Sequence, residues 1–241
     1  MDYNWNLKRK YDLISKDTDT EDKNEKPQDE KKNDIKKNLV FDGLTETSLL
    51  YSVKNHIYFY SGVCKKSCMN LNIEIKKIAN DLMTNRNNFS NLDQYIYIHI
   101  NSFGGSVFSA MSTIDTIITC PIPIITIIEG AAASAATLIS VVADYRVMTE
   151  NSFMLIHQLS SQTWGKMNEL EEEMVNLKKI MNKIKNIYKK NTKLKGSELD
   201  EILKHDLWWE SPKCLETGLV DEVIKKNKFY KLNKQKLEFK C

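Results

Sequence analysis

Residues 95–140, YIYIHINSFGGSVFSAMSTIDTIITCPIPIITIIEGAAASAATLIS, decide the fold of this chain. Two apolar runs, residues 95–100 and 124–128, are typical of buried strands, and each precedes tiny residues and then a helix-like segment. The first turn holds Gly104 and Gly105, and the second holds residues 130–133 followed by Ser134. The pattern predicts two sharp turns side by side, whose backbone N–H groups and serine hydroxyl face one point. Such a point suits acyl transfer.

Strands and helices alternate on both sides of this stretch. The predicted strands are residues 56–60, 95–100, 124–128, 145–148, 153–157 and 219–224. The predicted helices, apart from one long helix treated below, are residues 69–83, 107–118, 134–142, 197–205 and 211–218. Strands separated by helices indicate an α/β fold with a mostly parallel sheet.

The two ends of the chain differ in composition from its centre. Of the 241 residues, 41% are hydrophobic and 28% are charged, and the dense apolar patterning forms a single block. We therefore expect one globular domain, residues 39–225. Residues 1–38 are rich in Lys, Asp, Glu and Asn, which predicts a disordered charged arm that either stays solvated or orders on a partner. Residues 226–241 are predicted to be a basic tail.

Composition also disfavours several functional classes. A net charge of +3 is too small to indicate nucleic-acid binding. The apolar run at residues 122–128 is broken by Pro123 and stops at Glu129, so no membrane span is predicted. The start of the chain lacks a signal-peptide pattern, and the five scattered cysteines are typical of reduced thiols, so the expected compartment is the cytosol. Cys64 and Cys68 have no second pair at zinc spacing, so no metal site is expected.

The hydrophobic period changes over residues 167–190. Apolar residues recur there in alternating steps of four and three, at Leu170, Met174, Leu177, Met181, Ile184 and Tyr188. This predicts one helix of about six turns, which is longer than a small domain can cover. We expect a projecting arm that packs on a neighbouring subunit, with a long core helix as the alternative.

Ser134 and the histidines are candidates for nucleophilic catalysis. Ser134 stands where a predicted strand gives way to a helix, a place that favours a developing oxyanion, although small residues also serve to pack a helix tightly on a sheet. His157 ends a predicted strand at the edge where a parallel sheet places its functional loops, and a histidine can take the serine proton at neutral pH. The rival bases are His56, His99 and His205.

A general-base histidine also needs an acceptor that orients its second nitrogen. Asp206 is a good candidate, because Trp208 and Trp209 can anchor the turn that presents it. The residues alone leave three other acceptors open, namely Glu129, Asp115 and Asp144.

Four motifs, in the same order, resemble the proteolytic subunit of the Clp protease, the ClpP family. They are Asn101-Ser-Phe-Gly-Gly-Ser-Val, Gly130-Ala-Ala-Ala-Ser134, Met154-Leu-Ile-His157-Gln158, and Asp206 with Glu216-Thr-Gly218-Leu-Val-Asp221-Glu-Val. The similarity covers roughly residues 53–223. It implies a crotonase-like, ClpP-type ββα superhelix with residues 167–190 as a protruding handle helix. It also implies a cytoplasmic serine endopeptidase.

The resemblance also implies a role for each matching residue. Ser134 matches the nucleophile, His157 the general base and Asp206 the residue that orients it. The backbone N–H groups of Gly105 and Ala135 match the oxyanion hole. The substrate polypeptide would lie as an added strand beside Gly104 and Gly105.

The assembly implied by the resemblance is a seven-membered ring with an internal chamber. Two such rings would stack through the helix at residues 167–190, and an AAA+ unfoldase would feed polypeptides to them. Hydrolysis itself would need no cofactor, since ATP would be used by that partner. Peptidases of related fold with a Ser-Lys pair are disfavoured, because His157 and Asp206 fall where the Ser-His-Asp pattern places them.

Four positions in three motifs depart from the family pattern. Phe103 replaces the proline of the Asn-Ser-Pro-Gly-Gly turn, Leu159 replaces the proline after His-Gln, and residues 135–136 replace Met-Gly. No catalytic group is lost, but Phe103 and Leu159 are predicted to contact substrate and to alter efficiency or specificity. Two alternatives to a ClpP-type endopeptidase fed by an unfoldase stay open. One is a ring subunit that works with an active paralogue, and the other is a protease for a shell or capsid precursor that acts without an unfoldase.

Overall fold

The computed structural model describes residues 49–84 and 94–225. The predicted arm at residues 1–38 and the predicted tail at residues 226–241 lie outside the described residues. Within the two described ranges, no helix combines the length and the apolar character needed to cross a membrane.

Strands and helices alternate along the described chain. The strands are β1 (Leu49–Val53), β2 (His56–Tyr60), β3 (Ile96–Ser102), β4 (Ile124–Ala133), β5 (Tyr145–Thr149), β6 (Phe153–Leu155), β7 (Trp208–Glu210) and β8 (Glu222–Ile224). The helices are α1 (Lys65–Thr84), α2 (Val107–Ile118), α3 (Ala135–Val141), α4 (Met167–Asn191), α5 (Gly196–Ile202) and α6 (Ser211–Thr217). The predicted α/β class is confirmed.

The eight strands within residues 49–84 and 94–225 belong to one sheet, whose main path is β1-β2-β3-β4-β5-β8. β2, β3, β4, β5 and β8 pair in parallel along it, and β6 pairs in parallel with the end of β4. Among the described strands, the antiparallel pairs are β1 with β2 and β6 with β7. The predicted mostly parallel sheet is therefore confirmed.

The prediction of a turn at residues 130–133 is wrong, because β4 continues through Ala133. Its first half pairs with β5, and its last three residues pair with β6. Gly130 lies between the two halves with φ 84°, and a Cβ added there would lie 3.1 Å from the Asn101 amide. The small residues thus let one strand change neighbours, and the turn is displaced to Ser134.

The sheet separates two groups of buried side chains. Helices α1, α2, α3 and the end of α4 pack with Ile96, Ile98 and Ile100 of β3 in the main core. Because successive strand residues point to opposite faces, Tyr97 lies on the other face. It packs there in a smaller second core with Ile125, Ile127, Val147 and Ile224.

The helix α4 is 25 residues long, which corresponds to roughly 38 Å. Its buried residues, Ile184, Ile187 and Tyr188, all lie in its C-terminal part. In its N-terminal half Met167 is 71% exposed and Met174 is 52% exposed. The first half therefore projects from the domain, as the hydrophobic period predicted.

Candidate active site

Ser134 occupies a strained position between β4 and α3. Its φ of 56° and ψ of −126° lie in a region that residues other than glycine rarely occupy. The Ser134 N–H donates to the Leu155 carbonyl oxygen at 2.8 Å, and the Ser134 carbonyl oxygen accepts from the Thr137 hydroxyl at 2.6 Å. These bonds on both sides of the residue hold a backbone conformation that the serine would not adopt alone.

The long helix α4 also supports this turn. The hydroxyls of Thr137 and Tyr188 lie 2.6 Å apart, and Tyr188 is 1% exposed. Two consecutive hydrogen bonds therefore connect Tyr188 to the Ser134 carbonyl through Thr137. The N-terminal half of α4 projects from the domain, and its buried C-terminal part supports the backbone of the candidate nucleophile.

His157 and Asp206 come together although 48 residues lie between them in the sequence. His157 Nδ1 is 2.8 Å from Asp206 Oδ1, and the histidine side chain is 14% exposed while the aspartate is 67% exposed. The Gln158 N–H donates to the Leu203 carbonyl at 2.7 Å, which ties the segment after His157 to the segment before Asp206. The structure thus joins the predicted base to the predicted orienting acceptor.

The environment of His157 favours its neutral form. Burial lowers the pKa of His157 below its ordinary value, while the charge of Asp206 and its hydrogen bond act in the opposite direction. Because Asp206 is mostly exposed, water screens its charge and burial has the larger effect. Neutral imidazole is the form that can accept a proton from a serine hydroxyl.

A pH profile tests this balance. We expect kcat/KM for peptide hydrolysis to fall on acidification with a midpoint below about 6.5, the ordinary histidine value, because protonated His157 cannot act as a base. Replacement of Asp206 by asparagine removes the charge that raises the pKa of His157, so the midpoint should move to still lower pH. A wild-type midpoint above the ordinary value, or an upward shift in Asp206→Asn, would contradict the assignment.

The two turns predicted to lie side by side are in contact. A Cβ added to Gly104 would lie 2.7 Å from Ser134 Cβ and 3.0 Å from the backbone nitrogen of Ala135. Gly105 has φ 144°, pairs with Val63, and an added Cβ would lie 2.3 Å from the Val63 carbonyl oxygen. As the first residue of α3, Ala135 has an N–H without an intrahelical acceptor. Only glycine allows the first turn to approach Ser134 so closely.

The contact between Ser134 and His157 is not formed as a hydrogen bond. Ser134 Oγ is buried and has no hydrogen-bond partner within residues 49–84 and 94–225. Catalytic hydrogen bonds are often long before substrate binds and shorten in the reacting complex. The structure therefore assembles two parts of the site, His157 with Asp206 and Ser134 with the Gly104 turn, on elements joined by the Leu155 hydrogen bond.

The rival histidines lie elsewhere. His56 Nδ1 is 2.9 Å from His99 Nε2, and His99 Nδ1 is 2.8 Å from Glu129 Oε1. The Tyr60 hydroxyl donates to the same carboxylate. His99 shares a sheet face with Tyr97, so this network lies on the side of the second core. His205 is on the surface, 3.4 Å from Glu201.

The rival acceptors contact other groups or lie on the surface. Glu129 belongs to the network around His99. Asp144 Oδ2 accepts the N–H of Ile124 at 2.8 Å, and Asp115 is exposed on α2. Within the described residues, no group of three or more His, Cys, Asp or Glu side chains is placed to hold a metal ion.

The two residues assigned to substrate contact differ in placement. Phe103 is 58% exposed, and its ring meets the ring of Trp208 at a centroid distance of 6.1 Å. Leu159 packs against the main core, with its N–H 3.4 Å from Met181 Sδ. Trp208, which was expected to anchor the turn that presents Asp206, lies in β7 two residues after it, and its ring packs against Phe103.

Comparison with known proteins identifies the family. The family model for Clp protease matches residues 53–227. The ATP-dependent Clp protease proteolytic subunit 2 of Frankia casuarinae is 31% identical over 178 residues, which cover 72% of this chain and 82% of that protein. The corresponding subunit of Deinococcus radiodurans is 30% identical over 136 residues, which cover 56% of this chain and 67% of that protein. A solved structure of a ClpP1 mutant from Listeria monocytogenes shares the fold, with a TM-score of 0.62 at 19% sequence identity. The match covers 72% of this chain and 93% of that structure. This chain therefore belongs to the Clp protease family.

Proposed function

We propose that this chain is the proteolytic subunit of a Clp-type protease and cleaves polypeptides through an acyl-enzyme intermediate. The observation that supports this most directly is the 2.8 Å contact between His157 Nδ1 and Asp206 Oδ1. His157 follows Leu155 of β6 by two residues, and the Leu155 carbonyl accepts the Ser134 N–H. The relatives in Frankia casuarinae and Deinococcus radiodurans are named as proteolytic subunits of an ATP-dependent protease. The contact and the relatives both support peptide hydrolysis as the function.

In the proposed reaction, His157 takes the proton from Ser134 Oγ as that oxygen attacks the scissile carbonyl. Asp206 holds the imidazole through Nδ1 and stabilises its positive charge. The N–H groups of Gly105 and Ala135 receive the oxyanion. His157 then protonates the leaving amine and activates the water that hydrolyses the acyl-enzyme. These steps use no cofactor or metal, and ATP would belong to a partner unfoldase.

A fluorophosphonate probe tests the proposal, because it reacts with an activated serine and reports it without a chosen substrate. We expect the purified chain to be labelled, and mass spectrometry should place the label on the peptide that contains Ser134. Label on another serine, or no label on the folded chain under any assembly condition, would contradict the proposal.

One observation supports a second candidate, a ring subunit that is active only together with a paralogue. Ser134 Oγ makes no hydrogen bond to the described residues, so the serine is not yet aligned with its base. Peptidase activity of the pure chain and of its mixture with an active paralogue separates the two. Labelling of Ser134 in the pure chain favours autonomous activity, and labelling only in the mixture favours the second candidate.

We also propose rings that pair through α4. The projecting half of this helix exposes Met167, Met174 and Val175, an apolar surface that a second ring would cover. Seven chains of 28.0 kDa give about 196 kDa, and fourteen give about 392 kDa. Light scattering should show one of these masses, and Met174→Glu should convert the larger into the smaller. A 28.0 kDa particle at high concentration would contradict the proposal. The unfoldase partner and the cytosolic location stay predictions.

A further inference from the structure

Two large aromatic side chains meet beside the candidate active site. The rings of Phe103 and Trp208 have centroids 6.1 Å apart and planes at 89°, which is the edge-to-face arrangement that aromatic pairs prefer. Both remain exposed to solvent, Phe103 by 58% and Trp208 by 41%. The next residue, Trp209, packs against the main core. The aromatic pair, Phe103 and Trp208, is therefore a surface feature that the core does not explain.

Each ring belongs to a segment that carries one part of the site. Phe103 directly precedes Gly104, where an added Cβ would lie 2.7 Å from Ser134 Cβ. Trp208 follows Asp206 by two residues and lies opposite Leu155 in the pairing of β6 with β7. One side of the aromatic pair is thus fixed to the turn beside the nucleophile, and the other is fixed to the strand that follows Asp206.

These two segments lie on opposite sides of Ser134. Ser102 pairs with Ala132 of β4, Ala133 pairs with Leu155 of β6, and Leu155 pairs with Trp208. Two strands therefore separate the end of β3 from β7, at about 4.8 Å per step between neighbouring strands. The two rings bridge this gap at the ends of β4 and β6, next to Ser134, which directly precedes α3.

The segment with Asp206 is held by the backbone bond from Gln158 to Leu203, by Trp209 in the main core and by a short strand pairing, but Asp206 itself lies on the surface between them. β7 is three residues long, and its pairing partner in the sheet is β6 alone among the described strands. Asp206 itself is 67% exposed. A short edge strand and an exposed carboxylate move readily unless a side chain holds them. Catalysis, in contrast, requires the acceptor and the oxyanion turn to keep one geometry, because small displacements of such groups reduce the rate strongly.

We infer that the aromatic pair positions the Gly104 turn and the Asp206 segment relative to each other, so that Phe103 and Trp208 are positioning residues for peptide hydrolysis. This inference rests on the proposed function and adds residues to it. Neither ring takes part in proton transfer. The pair acts through the groups next to it, Asp206 on His157 and Gly104 on the oxyanion turn.

A double-mutant cycle tests the inference. Phe103→Ala and Trp208→Ala should each lower kcat by about 10- to 100-fold with little change in KM, because they disturb positions and not ground-state binding. The double variant should be no worse than the weaker single variant, since all three lose the same contact. Trp208→Phe and Phe103→Tyr keep an aromatic ring and should restore kcat to within about threefold of wild type.

The pH profile supplies a readout that a purely structural role would not change. In Trp208→Ala, His157 loses part of its contact with Asp206, so the acidic midpoint of kcat/KM should move to lower pH, as in Asp206→Asn. Phe108→Ala is the matched control, because Phe108 is 54% exposed on α2, and it should keep the wild-type kcat and midpoint. If Trp208→Ala does not fold, Phe103→Ala tests the loss of the ring contact, and Trp208→Phe tests whether an aromatic ring at position 208 is enough to keep kcat and the midpoint.

Several results would overturn the inference. Additive losses in the double variant would show that the rings act independently, and a change confined to KM would indicate a substrate subsite. The same double-mutant cycle, measured through the free energy of unfolding, separates the positioning role from the proposed peptidase function. Coupling in stability without coupling in kcat removes the positioning role and leaves the peptidase standing. A wild-type chain that resists the fluorophosphonate probe under every assembly condition contradicts the proposed function itself, and the positioning role falls with it.

Discussion

Replacement of Ser134 by alanine should lower kcat for peptide hydrolysis by about 10⁴- to 10⁶-fold, because the nucleophile and its base act as one unit. The fold should tolerate the change. Ser134 Oγ makes no hydrogen bond to the described residues, and alanine keeps the Cβ that faces Gly104. The free energy of unfolding should therefore change by less than about 0.5 kcal/mol.

Single-turnover kinetics and fluorophosphonate labelling of Ser134→Ala measure this effect. Ser197→Ala is a suitable control, since Ser197 is exposed at the start of α5, and it should keep the wild-type rate and label. The nucleophile assignment is wrong if Ser134→Ala is labelled as strongly as wild type, or if it retains most of the activity.

Replacement of Gly104 by alanine should have the next largest effect. Gly104 has φ 93°, and the added Cβ would lie 2.6 Å from the Ala133 carbonyl oxygen and 2.7 Å from Ser134 Cβ. Since the first of these is a backbone atom, the turn must move away from Ser134 and carry the Gly105 N–H with it. Loss of one oxyanion donor lowers kcat by about 10²- to 10³-fold. The variant should also be less stable by about 1–3 kcal/mol.

Gly196→Ala separates this steric effect from the cost of a left-handed backbone. Gly196 has φ 52°, but an added Cβ would meet no heavy atom within 4 Å. It should therefore lose about 1 kcal/mol of stability and keep full activity. If Gly104→Ala behaves like Gly196→Ala in a peptidase assay, then the Gly104 turn does not shape the oxyanion site.

Some boundaries depend on contacts that a sequence pattern does not contain. α1 begins at Lys65 and not at residue 69, because the Ser67 hydroxyl bonds to the Gly62 carbonyl at 2.6 Å and accepts the Cys64 N–H at 3.0 Å. β1 and β7 were not predicted as strands. β7 has three residues, and its pairing with β6 depends on residues about 55 positions away in the sequence.

The sequence by itself determined the α/β class, the mostly parallel sheet and the projecting helix. Each of these depends on local apolar periodicity, which β3 and α4 display over many residues. The resemblance to the Clp protease family, carried by motifs of a few residues each, is confirmed by the family match over residues 53–227. The catalytic roles of Ser134, His157 and Asp206 stay predictions until they are measured.

The tertiary structure decided which of the chemically equivalent groups meet. Asp206, Glu129 and Asp144 carry the same functional group, but their partners are His157, His99 and the Ile124 N–H. It also decided that the alanines extend β4, so that residues 95–140 contain one glycine turn and one strained serine in place of two small-residue turns. The physical reason is that strand pairing and side-chain contacts join residues far apart in the chain, whereas periodicity reports only the neighbourhood of each residue.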